Sequence, residues 1–411
     1  MNTPTHTVRA AIIGGGPAGL MAAEALCAHG IAVDLYDAMP SLGRKFLMAG
    51  KSGLNITHAE PFDDFLSKFG ASRTQLNPIL HGFPPGTVQA WAQGLGIETF
   101  VGTTRRVFPK DFKSAPLLRA WIRRLRAGGV TVHARHRWTG WSDDGHLVFD
   151  TQDGPTTVAA EATILALGGA SWPKLGSDAA WVNWLEQKGV GISPLKPANC
   201  GFDVDWSSHF IERFEGQPIK NARITFAGQT VSGEFTITKT GVEGGPVYDL
   251  SSKLLGALDG KGEATVTIDL IADRSVDNVL ERLNQPRGKK SMATHLKRTL
   301  HLSGAKAGLL RECTHKNNFA DMAKLAAAIK ALPLSMLRAR PITEAISTSG
   351  GIRWSQMDAG LQLKDLPGVY ACGEMIDWTA PTGGYLLSAC MATGRWAGDA
   401  VAKQLKPASK G

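Results

Sequence analysis

The chain has 411 residues, too many for one hydrophobic core, so two or more domains are expected. Hydrophobic residues make up 43% and charged residues 20%, the balance of a soluble globular protein; no apolar run reaches the ~18 residues of a membrane span, and no long apolar stretch precedes the first glycines, so a cytoplasmic chain without a signal peptide is expected. Net charge is +9, which leaves anionic partners open, while five scattered cysteines without a CxxC pair argue against a disulfide scaffold, a dithiol redox centre or a zinc site, and no metal is expected.

In chain order, Val8–Ile13 is a short apolar run without helical spacing, which fits a buried parallel strand. Gly14-Gly15-Gly16-Pro17-Ala18-Gly19 follows and matches G-x-G-x-x-G. A helix-forming run from Leu20 to Ala28 stops at Gly30, and Ile31–Tyr36 reads as a second strand that ends at Asp37-Ala38. Each part has a mechanical reason. Gly14 permits a tight turn, Gly16 lets a pyrophosphate approach the backbone, and Gly19 lets the helix pack on the strand. The helix start at Pro17 and Ala18 offers unpaired N–H groups and a partial positive charge. Asp37 stands where a carboxylate accepts ribose hydroxyls. Strand, glycines, helix, cap, strand and acid in this order predict a dinucleotide-binding fold; a bare glycine turn does not predict the acid.

The next segment, "GRKFLMAGKSGLNITH" (43–58), contains Gly50-Lys51-Ser52, which is how a P-loop ends. A P-loop needs a glycine five residues earlier, and Lys45 stands there, which counts against a nucleotide triphosphatase. The segment is glycine-rich, basic and polar, with poor helix character. A loop laid along a long anionic cofactor is expected.

This loop resembles the second cofactor loop of two-dinucleotide-fold flavoproteins, specifically of the HI0933-like family, which reads GRK and then S-G-G-G-R-C-N-x-T-N. Asn55 and Thr57 match that pattern; Ala49, Lys51, Ser52, Gly53, Leu54 and His58 depart from it. The likeness continues in "RRVFPKDFKSAP" (105–116), where Arg106 is in step and Arg105 replaces a glycine, and in "ILALGGASWPKLGSD" (164–178), which carries Gly168 and Gly169. It continues through "GEFTITKTGVEGGPVYDLS" (233–251), "ISTSGGIRW" (346–354) and "GVYACGEMIDWTAPTGGYLLSACMATGRWAGDA" (368–400). The closing stretch also reads physically, as a buried strand Val369–Cys372, then Gly373-Glu374, then a helix from Thr382-Gly383-Gly384-Tyr385 to about Lys403.

The resemblance implies FAD. Gly14, Gly16, Pro17, Ala18 and Gly19 are then expected at the pyrophosphate, and Asp37 and Ala38 at the adenosine ribose. Arg44, Lys45, Gly50, Lys51, Ser52, Gly53 and Asn55 are expected along the cofactor, with Arg106, Gly168 and Gly169. Gly373, Glu374, Asp377, Thr382, Gly383, Gly384, Tyr385 and Leu386 are expected around the flavin end. No catalytic acid, base or nucleophile is assigned. His58 and Lys51 are open between proton donation, anion binding, FAD phosphate contact and simple exposure. His133 and His136 read as surface-strand residues, Trp172 as either a cofactor cover or packing, and Cys372 as packing.

The expected fold class is α/β. A discontinuous Rossmann-like FAD-binding domain (1–196 and 344–411) surrounds an insert, β-rich over 197–272 and helical over 273–343. The expected function is an FAD-dependent oxidoreductase acting on a small molecule. NADH or NADPH is the expected transient donor. Only one complete G-x-G-x-x-G unit stands in the sequence, so donor and substrate are expected to share one face of the flavin, between cofactor domain and insert, and to react in turn. The rival reading is a flavin-bearing RNA-binding or scaffold protein, motivated by Arg119–Arg126 and Arg287–Lys306, though RRM, KH and zinc-knuckle patterns are missing.

Overall fold

The computed structural model describes residues 5–50 and 53–406. The chain divides into two compact units, one built from the chain up to Lys196 and again from Ser347, the other from Pro197–Ile346. Lys51 and Ser52 lie outside the described residues.

The first unit is built on a mixed sheet. Strand Thr5–Ile13 lies between Val33–Asp37 and Gly154–Leu165 and runs parallel to both. Val130–Ala134 extends the sheet in parallel beyond Val33–Asp37. The far edge of Gly154–Leu165 pairs in parallel with Val369–Ala371 and antiparallel with Leu147–Thr151, which pairs in turn with Arg137–Trp141. Ala10, Ala11, Ile12 and Ile13 are all buried, the continuous apolar run of a parallel central strand.

Helix Pro17–Ala28 packs along the C-terminal helix Tyr385–Leu405. Small residues allow the approach. A Cβ on Gly394 would overlap the Ala18 carbonyl, and one on Gly398 would sit 2.8 Å from the Ala22 carbonyl oxygen. Both helices begin without a side-chain cap, at Gly16 and Gly384.

One element of the first unit differs from expectation. Residues Arg44–Ala49 form a helix where a loop was expected. Phe46 supplies the reason: it is buried, with its ring edge-on to Trp121 of helix Ser114–Ala127. Gly43, at φ 65°, begins the helix and Gly50 ends it. Burial of one aromatic outweighs the polar local composition.

The second unit carries an antiparallel sheet in the order Leu332–Met336, Ala264–Asp269, Pro218–Phe226, Gln229–Ile237, Gly241–Glu243, Phe202–Asp203, Arg338–Ala339. Helix Gly245–Lys261 interrupts the stretch read as β-rich. Strands Leu332–Met336 and Arg338–Ala339 come from the stretch read as helical and form both edges of the same sheet. Sheet and helices therefore share one core, in which Phe235, Ile268, Leu309 and Ile329 are buried.

The contact at Gly394 gives a stability test. Gly394→Ala forces a methyl group against the Ala18 backbone, an overpacking cost of about 1–3 kcal/mol. The thermal midpoint of the first unit should fall by roughly 2–4 °C per kcal/mol. An unchanged or raised midpoint would show that the two helices are free to separate.

Candidate cofactor site

The glycine turn opens onto a cleft of about 980 Å³, counted to its open mouth. Gly14 sits at φ 106°, and a Cβ there would overlap the Ala166 carbonyl. A Cβ on Gly19 would overlap the Gly14 carbonyl. Gly16 is different: at φ −79° its backbone suits any residue, and a Cβ would meet nothing within 4 Å. Gly16 therefore faces open space at the uncapped start of a 12-residue helix, whose first N–H groups lack intrahelical partners. That is an anion cradle in both charge and shape.

Asp37 lies beside it. Its Oδ2 accepts from Gly15 N at 2.7 Å and its Oδ1 from Met39 N at 2.7 Å. Burial pushes its carboxyl above the ordinary range, against the Met39 and Gly15 amides and the Arg44 and Arg137 charges. Each oxygen keeps a free lone pair for a hydroxyl donor. Ala38 also lines the cleft.

The remaining walls hold side chains that no motif announced. Tyr36, His136, Trp138, Trp181 and Trp184 line the cleft. The Tyr36 hydroxyl, Trp138 Nε1, Ser177 Oγ and Arg44 Nε are buried without a hydrogen-bond partner. Buried polar atoms are normally satisfied, so four such atoms around one cleft mark a place where a polar ligand belongs. Tyr36 is held between His133 and Phe149, stacked at 4.5 and 4.4 Å, and His133 Nε2 is 2.7 Å from Asp34 Oδ1. His133 thus packs the wall and His136 forms part of it, neither being a simple surface residue.

Farther along, Lys45 Nζ donates to Glu374 Oε2 and Ser171 Oγ, each at 2.6 Å, and Thr348 N donates to Glu374 Oε1 at 2.9 Å. Gly168 and Gly373 line this part of the cleft. Gly169 instead packs on Thr348, whose Oγ1 accepts from Ala170 N at 2.9 Å. Cys372 and Cys390 also face the cleft, and burial pushes both thiols up, so neither is a thiolate. Among the described residues no group of three or more His, Cys, Asp or Glu is placed to hold a metal ion. No helix among them is long and apolar enough to cross a membrane.

A match to the HI0933-like protein Rossmann domain covers residues 8–400. The chain belongs to the HI0933-like family. That family is one of FAD-dependent oxidoreductases. The chain is 26% identical, over 96% of its length and 99% of the relative's, to a 3-dehydro-bile acid delta(4,6)-reductase from Clostridium scindens. It is 24% identical, over 92% of its length and 93% of the relative's, to a ribosomal RNA dihydrouridine synthase from Escherichia coli. In fold it is similar to the 3-ketosteroid-delta4-(5alpha)-dehydrogenase of Rhodococcus jostii, at 14% identity and TM-score 0.55, covering 98% of this chain and 99% of that one.

Other residues quoted from the HI0933-like motifs gather in a second cluster. Gly384, at φ 92°, lies against the Thr57 backbone, and Ser388 Oγ donates to Thr57 Oγ1 at 2.8 Å. The Tyr385 hydroxyl donates to Glu60 Oε1 at 2.5 Å, and its ring stacks on His58 at 5.2 Å. His58 Nδ1 lies 3.5 Å from Glu60 Oε1. Gly383 approaches Arg106, while Thr382 is half-buried and Leu386 packs on the core. Asn55 Oδ1 is buried without a partner, next in sequence to Leu54, whose N donates to Phe112 O at 2.9 Å. Gly50 packs on Ser114, and Gly53, at φ 108°, lies near Phe112. Asp377 belongs to neither group: its Oδ2 accepts from Ser193 Oγ at 2.6 Å and its carbonyl from Trp354 Nε1 at 2.8 Å. Trp172, at φ 60°, is the cap of a short turn and is not part of the cleft wall.

Two tests follow from this geometry. Gly16→Val should fold as the parent does and lose the cofactor, because its side chain enters only the open cradle. Gly19→Ala should instead lower the thermal midpoint through its clash with Gly14. Cofactor content at parental level in Gly16→Val would place the anion elsewhere. The second test uses His58. Burial pushes its imidazole below the ordinary value of 6.5, helped by Arg106 and Lys68 and opposed by Glu60 and the Thr104 carbonyl. Its folded form resists protonation, so stability is whole above that value and is lost as pH falls and the unfolded chain takes up its proton first. Between about pH 7.5 and 5.5, His58→Gln should therefore lose less thermal stability than the parent. Equal losses would show that the imidazole titrates normally.

Proposed function

We propose that the protein is an FAD-dependent reductase of a carbon–carbon double bond conjugated to a carbonyl, with NADH or NADPH as its electron donor. The observation that carries this reading is the open space over Gly16 at a helix start, with Asp37 beside it and four unpartnered polar atoms in the same cleft. The residues fit a dinucleotide. The helix start and Gly16 hold the pyrophosphate, Asp37 takes the ribose hydroxyls, and Tyr36 and Trp138 stand as walls for the adenine. Asn55, Arg106 and Gly383–Tyr385 serve the flavin end. When bound, the flavin supplies hydride transfer.

The two kinds of relative narrow the acceptor. One name describes reduction of double bonds in a 3-oxo bile acid, the other formation of dihydrouridine in ribosomal RNA. In both, the double bond that is saturated is conjugated to a carbonyl. That shared chemistry is what we carry over to this chain, with a small molecule as substrate. An RNA base is a second reading, favoured by the net charge of +9 and by two relatives with the RNA name. Only one complete glycine motif with its strand and acid is present, so nicotinamide and acceptor use one site in turn.

The purified protein should be yellow and release FAD, not FMN, on denaturation. Under anaerobic mixing, NADH or NADPH should bleach it saturably, and a conjugated enone should restore the colour where its saturated analogue does not. Protein that takes up no FAD would remove the cofactor; a flavin that the enone and the analogue reoxidise equally would remove the proposed chemistry.

A further inference from the structure

The chain's charge is concentrated. Between Arg282 and Lys316 stand nine Lys and Arg and one acid, Glu312, so this stretch carries +8 of the chain's +9. All of it belongs to the second unit. Its single carboxylate is already used: the two Glu312 oxygens accept from Ser207 N and Oγ at 2.6 and 2.9 Å, at the start of helix Ser208–Phe214. Arg287, Lys289, Lys290, Lys297, Arg298 and Arg311 are exposed, and among the described residues no ion pair joins them to an acid. A solvated face normally mixes both signs, and an unmixed one repels itself.

Helix Gly304–Glu312 contributes to two grooves. One is lined by Arg213, Phe214, Lys297 and Arg311. The other is lined by Arg223, Arg274, His301 and Lys306, with Asp273 among them. Arg274 Nη1 is buried without a partner, a donor still to be matched. Phe214 is half-buried, with the Arg213 guanidinium 5.6 Å from its ring centre. Cations lining grooves, with a half-buried aromatic ring in one of them, suit a chain of phosphates whose bases are unpaired.

We infer that this face of the second unit docks the phosphodiester backbone of a looped RNA. The inference rests on the RNA reading of the substrate given above. Phosphates relieve the self-repulsion of the cations, and unpaired bases have a partly exposed ring to stack on. A flat anionic membrane would neutralise the exposed lysines but leave Arg274 Nη1, inside its groove, unmatched.

The test is fluorescence anisotropy of a labelled RNA hairpin with the full-length, FAD-loaded protein. With four phosphate contacts, log Kd should change with log salt at a slope of about 3. The quadruple variant Lys289→Glu, Lys290→Glu, Lys297→Glu, Arg311→Glu should bind roughly 50-fold more weakly at low salt and show a nearly flat slope. Its FAD content, thermal midpoint and enone reduction should match the parent. If the reversal lowers the midpoint, the four glutamine substitutions replace it. No RNA binding by the parent at low salt, equal binding by the variant, or equal competition by anionic vesicles would each overturn the inference. Enone reduction without RNA binding removes the docking face and leaves the proposed activity. RNA binding without enone reduction does the reverse.

Discussion

The first turn of helix Pro17–Ala28 is clamped between backbones, and the cofactor site depends on that clamp. Gly14 touches Ala166, Gly19 touches Gly14, and Gly394 touches Ala18; none has room for a side chain. Gly373, at φ 79°, closes on the Ala18 methyl from another side, where a Cβ would sit 2.7 Å away. These contacts fix the direction in which the free N–H groups of the turn point. Only the Gly16 position, among the glycines of the motif, is open. The partial charge at a helix start acts over about one turn, so an anion gains from it only if the turn is held in place.

A second constraint runs across the cleft. Glu374 is only 6% exposed, and a carboxylate so buried needs partners. Lys45 and the Thr348 amide supply them, and Ser171 takes another of the Lys45 protons. Three distant stretches of chain meet at this one carboxylate, and a fourth joins them through Lys45. Lys45 therefore has a structural duty whatever lies in the cleft, and removing its charge would leave Glu374 buried and uncompensated.

The glycine turn, its helix and Asp37 were legible in the sequence because their requirements are backbone requirements, and glycine is the residue that records them. The closing strand and helix were legible for the same reason. The aromatic wall was not. Trp138 reaches the cleft from strand Arg137–Trp141, which pairs antiparallel with Leu147–Thr151, while Trp181 and Trp184 come from helix Trp181–Gln187. Their meeting depends on sheet order, which no local pattern encodes. Tyr36 could have been suspected from its place before Asp37, at the end of the second strand. The helix Arg44–Ala49 was missed because polar neighbours masked the burial of Phe46. Asp377 follows the closing motif closely, yet Ser193 holds its carboxylate; a motif gives a position in the chain and not the direction of a side chain.

The same distinction separates what the fold settles from what selects a substrate. A steroid dehydrogenase at 14% identity shares the fold, so the fold by itself names no acceptor. What the glycine contacts preserve is a way of holding a cofactor, and they impose nothing on side chains beyond it. Selection has to come from side chains that the backbone contacts leave free to vary. His58 is one: it stands where the HI0933-like loop has Asn, buried against Tyr385 and facing Glu60, with its proton affinity lowered by that burial. Gly53-Leu54 is another, where the family's Arg-Cys is replaced by a flexible residue and a fully buried one. The Arg-Cys pair would bring a charge and a thiol to these two positions, and Gly53 and Leu54 bring neither. Any chemistry that needs them must be carried by other residues in this chain, and at that loop's end the His58 imidazole, the Glu60 carboxylate and the Tyr385 phenol stand together.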